Sequence, residues 1–247
     1  MRLPPLFYFS WLRLSARASS KGAGLGLLLS LPLSLVAQPQ PAGPRYRPAR
    51  AANPSGPAVL DTLTGRPSLY AVGMAEGGGE ILILGDEAFT TRHRPDGATE
   101  TTTGFQGRAV WLLRSRVSRW EDAGPVPATI SSAAALARFI RQALARAGLD
   151  MRATQPFRLV GESRTVWWHV AAFPTAWPLD AAAADLGAHG CFVRESMSVV
   201  GFSPPPARRK RPLVLHMHGR SGAQPFVAHF DSLRPGAGLH LLLPALP

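Results

Sequence analysis

His216-Met-His-Gly-Arg-Ser-Gly-Ala-Gln-Pro-Phe-Val-Ala-His229 packs three of the chain's seven histidines into fourteen residues. The residues just before it, Arg211-Pro-Leu-Val-Leu, are aliphatic and β-branched, so 211–218 reads as a strand entering a Gly/Ser/Pro loop over 219–225. Side chains two apart on a strand share a face, which aims His216 and His218 the same way. A second apolar run, 226–230, returns along the first and brings His229 beside them. Three neutral imidazoles on one hairpin face form a zinc-type donor set, with a fourth position open to water or substrate. The bland alternative is that these are strand histidines satisfied by ordinary hydrogen bonds, since His-x-His arises by chance in many chains.

Outward from the hairpin, strands dominate. Runs at 68–74, 80–84, 88–92, 108–114, 196–202 and 238–243 have strand composition, and Gly85-Asp86-Glu87 between the second and third is a hairpin signal. Glu76-Gly-Gly-Gly-Glu80 reads as a turn, because no phosphate-loop lysine follows it. A further hairpin is expected from 157–160 and 165–172 around Gly161-Glu-Ser-Arg164, with Trp167 and Trp168 as core and rim. One helix is well marked over 131–147: Ser131 or Ser132 caps it, Leu136, Phe139, Ile140, Ala143 and Leu144 follow helical spacing, and Gly148 ends it. A second, short helix is expected over 178–187. With no regular βαβ alternation, the chain reads as α+β with largely antiparallel or mixed sheets.

The amino terminus is of another kind. Arg2, Arg13, Arg17 and Lys21 precede an apolar run over 22–37, and a polar, proline-rich stretch begins at Gln38. This describes a secretory signal peptide over 1–37, cleaved near Ala37, followed by a flexible leader over 38–57 and a folded domain over 58–247. Pro32 interrupts the apolar run, which is shorter than the ~20 residues of a bilayer span, so no membrane partner is expected after cleavage. Cleavage removes four charges from a formal net charge of +12. The remaining basic residues are scattered, with one dense cluster at Arg208-Arg-Lys-Arg211, and show no aromatic-interleaved stripe, which argues against a nucleic-acid partner. Cys191 is the only cysteine, so an exported chain forms no internal disulfide.

The spacing His216-x-His218-x10-His229 behind a strand, together with Gly79-Glu80-Ile-Leu-Ile-Leu-Gly-Asp86, resembles the bacterial acetolactate decarboxylases. From Leu69 to Leu243 the likeness is one of element order and apolar pattern. The resemblance implies an α+β fold of two related sub-domains, with mixed, largely antiparallel sheets and one main covering helix. It also implies a zinc enzyme, usually a homodimer, that converts 2-acetolactate to acetoin and carbon dioxide. By the same resemblance His216, His218 and His229 would be the zinc ligands and Glu80 the carboxylate beside the metal. His169 stands where the family carries an arginine, and it can donate to an anion or shuttle a proton without the paired donors of a guanidinium. The family's second glutamate near the carboxyl end has no counterpart, because no acidic residue follows Asp231, and Val227-Ala228 stand where small glycines usually precede the third histidine.

The leading expectation is thus an exported zinc-dependent decarboxylase acting on a small 2-hydroxy-3-keto acid. Two other classes fit the same donor set. A three-histidine zinc with an open position can activate water for ester hydrolysis, and a protein of this fold can hold zinc or a small anion without turnover.

Overall fold

The computed structural model describes residues 57–94, 96–172, 187–205 and 214–246. The expected signal peptide, leader (apart from Pro57) and basic cluster lie outside these residues, as does the expected helix over 178–187 apart from Gly187. In chain order the strands are β1 (Ala58–Val59), β2 (Leu69–Ala75), β3 (Glu80–Leu84), β4 (Glu87–His93), β5 (Thr99–Thr103), β6 (Arg108–Arg116) and β7 (Trp120–Pro125). They continue after α1 (Ala133–Arg146) with β8 (Gln155–Val170), β9 (Ala188–Ser203), β10 (His216–Ser221), β11 (Val227–Pro235) and β12 (His240–Pro244). A 3-10 turn, Leu60–Leu63, follows β1.

Two six-stranded sheets result, ordered β1-β6-β2-β3-β4-β5 and β11-β10-β9-β8-β12-β7, and every pairing between these strands is antiparallel. In the second sheet β11 pairs with β10 on one side and with β8 on the other, so β8, β9, β10 and β11 close into a ring. The α+β architecture with one covering helix follows. Ser132 caps α1, its hydroxyl accepting from Ala135 N–H at 3.2 Å, and Leu136, Ile140 and Leu144 are fully buried against Phe157, Val199, Phe230 and Leu241 of the second sheet. On its other side Arg141 donates to the Pro204 carbonyl at 3.2 Å.

The sheets meet through alternate side chains. Val72, Leu82, Phe89 and Leu113 of the first pack against Val200, Phe202 and Val227 of the second. The opposite face of the first sheet is closed by Leu60 and Leu63 over Leu69, Ile81, Ile83 and Leu112.

Two expectations are corrected by the positions of glycines. Residues 157–172 are not a hairpin: β8 runs unbroken through Gly161-Glu-Ser-Arg164 and pairs with β9 from Gln155↔Ser203 to Val170↔Ala188. Gly161 answers a close approach, since a Cβ there would lie 2.1 Å from the Gly238 carbonyl oxygen, at a φ of +123°. Likewise, Gly219, Arg220 and Ser221 belong to β10 and not to a loop. A Cβ on Gly219 would lie 2.2 Å from the Phe230 ring, so this glycine makes room for packing between neighbouring strands. Strands β5 and β7, at sheet edges, are polar or glycine-bearing and carry no apolar alternation that would announce them.

Gly161→Ala should destabilise the domain by about 2–4 kcal/mol, because it adds a backbone clash to an unfavourable φ. Gly65→Ala, where φ is +72° and nothing lies within 4 Å, should cost only about 1 kcal/mol. Denaturant midpoints measured on both variants check the difference. Equal losses would mean that the Gly238 approach does not constrain the strand.

Candidate metal centre

The histidine face lies between the two sheets. His216 and His218 point from β10 towards the first sheet, on the face shared by Val200 and Phe202 of β9, while Met217 between them points into the core beneath α1. The register places His218 directly opposite His229 on β11 and His229 directly opposite His169 on β8. The four imidazoles therefore form a row across three paired strands. Ring centroids are 5.0 Å apart for His216 and His218, 4.8 Å for His216 and His229, 5.3 Å for His218 and His229, and 4.6 Å for His169 and His229.

His218 is completely buried. Its Nδ1 donates to the Ile81 carbonyl at 2.9 Å, and since a carbonyl only accepts, this assigns the proton to Nδ1 and the lone pair to Nε2. That Nε2 lies 3.2 Å from His216 Nε2. Burial and the neighbouring imidazoles hold His216 and His218 well below the usual histidine range, so both are neutral donors. Trp111 of β6 packs edge-on to both rings, at 5.0 Å and 6.4 Å.

Glu80 opens β3 directly after the glycine turn and is also buried. The turn sets its position: Gly79 N–H donates to the Ala171 carbonyl at 2.8 Å, and Glu80 Oε1 accepts from Ala171 N–H at 3.0 Å. A Cβ on Gly79 would lie 2.3 Å from the Thr91 carbonyl, so glycine is required there. Glu80 Oε2 is left facing His218 Nε2 at 3.5 Å. Burial raises the Glu80 pKa, against the opposing pull of His169, His229 and the Ala171 N–H.

The sequence reading passed over Asp231. The register slips between Phe230 and Ser232, so Asp231 is the extra residue of a bulge in β11. Its Oδ1 lies 2.9 Å from His169 Nδ1 and 3.3 Å from His229 Nδ1. Burial opposes its ionisation, yet the hydrogen bond from His169 and the imidazole of His229 beside it hold the carboxyl well below the usual range. For His169 burial again works against charge, but Asp231 and then Glu80 outweigh it and raise the pKa. The available signal was the i, i+2 relation of His229 and Asp231, which shares a strand face once β11 is carried beyond Phe230.

The donor set fits a metal ion. One nitrogen from each of His216, His218 and His229 lies within 4.8 Å of the others, and His169, His229 and Asp231 form a second such group. Tetrahedral bonds of about 2.0–2.1 Å place ligand nitrogens about 3.3 Å apart, close to the 3.2 Å between His216 and His218. The structure thus brings Glu80, His169, His216, His218 and His229 into one cluster and adds Asp231 and Trp111 to it.

No protein-family model matches the chain. No curated protein matches it either. Solved structures do match in fold. A Staphylococcus aureus protein of unknown function similar to α-acetolactate decarboxylase aligns at a TM-score of 0.57 and 10% identity, over 77% of each chain. The α-acetolactate decarboxylase of Bacillus subtilis strain 168 aligns at 0.55 and 13% identity, over 71% of this chain and 72% of the other. That of Bacillus subtilis subspecies spizizenii aligns at 0.58 and 12% identity, over 78% and 79%. The chain therefore has the fold of the acetolactate decarboxylases.

If the three imidazoles hold an ion, the purified chain should carry about one divalent metal, and replacing His216 and His218 together with alanine should abolish its retention. His169→Ala should leave metal content unchanged. Elemental analysis after gel filtration checks both, and full metal content in the double variant would sink the site.

Proposed function

We propose that the chain is a metal-dependent carboxy-lyase that converts 2-acetolactate to acetoin and carbon dioxide, with zinc held by His216, His218 and His229. The observation that carries this reading is the convergence of three imidazoles with the buried Glu80 carboxyl at their edge. It occurs in a fold whose solved neighbours include acetolactate decarboxylases.

When bound, zinc would supply Lewis-acid polarisation of the substrate's oxygens. The remaining work falls to the chain's own groups. The bond from the substrate carboxylate to its neighbouring carbon breaks, carbon dioxide leaves, and the electron pair left behind is quenched by one proton. Glu80 Oε2, the oxygen not engaged by Ala171 N–H, is the group placed to deliver that proton. His169 and Asp231 lie on the open side of the cluster, with side chains 20% and 28% exposed. There the protonated His169, its Nδ1–H held by Asp231, would meet an incoming carboxylate with its one remaining N–H, where a guanidinium would offer two. Trp111 keeps water from the inner side of His216 and His218. The same reading takes the mature protein to be exported and homodimeric, beginning near Gln38.

The test is to measure metal content, then acetoin and carbon dioxide formed from racemic acetolactate. Both products should appear and both should cease on chelation. Glu80→Gln should keep the metal and lower kcat by roughly 10²–10⁴-fold. A metal-loaded chain that releases no carbon dioxide but cleaves simple esters would replace this reading with hydrolysis at the same centre. Export is checked by amino-terminal sequencing of the protein recovered outside the cytoplasm, and an intact Met1 would refute it.

A further inference from the structure

One carboxylate oxygen in the cluster serves two histidines. Asp231 Oδ1 lies 2.9 Å from His169 Nδ1 and 3.3 Å from His229 Nδ1, and those two rings sit 4.6 Å apart with their planes tilted by 36°. The bulge in β11 is what turns the carboxylate into this position, between a residue of its own strand and one of the neighbouring strand.

Free histidine favours the tautomer with its proton on Nε2, which would turn a protonated, non-ligating nitrogen away from the ring's Nδ1 side. His218 is already held in the other tautomer by the Ile81 carbonyl, and the nitrogen so bared is the one beside His216. An acceptor at Nδ1 does the same for any imidazole: the proton goes to Nδ1 and the lone pair to Nε2. Asp231 Oδ1, 3.3 Å from His229 Nδ1, is within reach to serve as an acceptor of this kind for His229.

We infer that Asp231 is a positioning residue: it fixes His229 in the tautomer whose Nε2 carries the lone pair, and it anchors His169 over the open side through the same oxygen. The metal-binding consequence rests on the centre proposed above, whereas the tautomer does not. With His169 hydrogen-bonded to that oxygen and His229 Nδ1 3.3 Å from it, a change at Asp231 acts on His229 and His169 together. This couples the outermost ligand to the residue that faces an incoming anion.

The experiment uses the metal-free mature chain with ¹⁵N-labelled histidine, in mildly alkaline buffer where imidazoles are neutral. Long-range ¹H–¹⁵N correlations report which ring nitrogen carries the proton, and His229→Gln identifies the His229 signal by its loss. His229 should carry its proton on Nδ1 in the wild type, shift towards the Nε2–H form in Asp231→Ala, and stay on Nδ1 in Asp231→Asn, whose amide oxygen still accepts. The wild-type reading stands alone should the alanine variant fail to fold. An Nε2–H tautomer in the wild type, or an unchanged tautomer in the alanine variant, overturns the inference.

Zinc affinity by chelator competition should then fall roughly 10–100-fold in Asp231→Ala and less in Asp231→Asn. Two zinc ions per wild-type chain, falling to one in Asp231→Ala, would make Asp231 a ligand and also overturn it. A wild type that binds no zinc but shows the Nδ1–H tautomer would remove the metal centre while leaving the role of Asp231 intact.

Discussion

A buried hydrogen bond from His218 Nδ1 to the Ile81 carbonyl joins the two sheets at the floor of the cluster, linking residues 137 apart in the chain. Such a bond contributes only about 1 kcal/mol net, but leaving its partners unmatched in a dry interior would cost more. The flanking contacts are apolar, from Val72, Leu82 and Leu113 on one side to Val200, Phe202 and Val227 on the other. A second buried tie, Val227 N–H to Thr91 Oγ1 at 3.0 Å, fixes the start of β11 against β4. Between them these bonds set the distance and register at which the histidine face meets Glu80.

The architecture explains why each donor is neutral or charged as it is. Innermost lie His218 and Glu80, where burial disfavours charge on both. Asp231 sits at the mouth, where two imidazole N–H groups repay its desolvation. Ionisation is thus confined to the opening, while burial keeps His216 and His218 neutral at the floor.

Much of this was legible in the sequence wherever a local rule decided the outcome. Ser132 and the 3.6-residue spacing of Leu136, Ile140 and Leu144 gave away the helix, Gly85-Asp86 gave the β3–β4 turn, and the two-residue period placed His216 and His218 on one face. Where a glycine served a distant neighbour, the same rules misled. Gly161 and Gly219 read as turn residues, yet each sits in a strand to admit Gly238 or the Phe230 ring, and no local pattern distinguishes the two uses. Asp231 escaped because the apolar run that marks β11 in the sequence ends at Phe230, one residue short of it.

The ring formed by β8, β9, β10 and β11 leaves the histidine-bearing strands without a free edge, and it also separates the cluster's parts along the chain. His216, His218 and His229 belong to one short hairpin whose closure costs little entropy, whereas Glu80 reaches Ala171 across 91 residues. The three-histidine face is therefore a local product of folding, while the Glu80 carboxyl beside it is delivered only when the two sheets dock. An ion captured by the hairpin alone would lack the Glu80 carboxyl, so the proposed chemistry is confined by chain topology to the fully assembled domain.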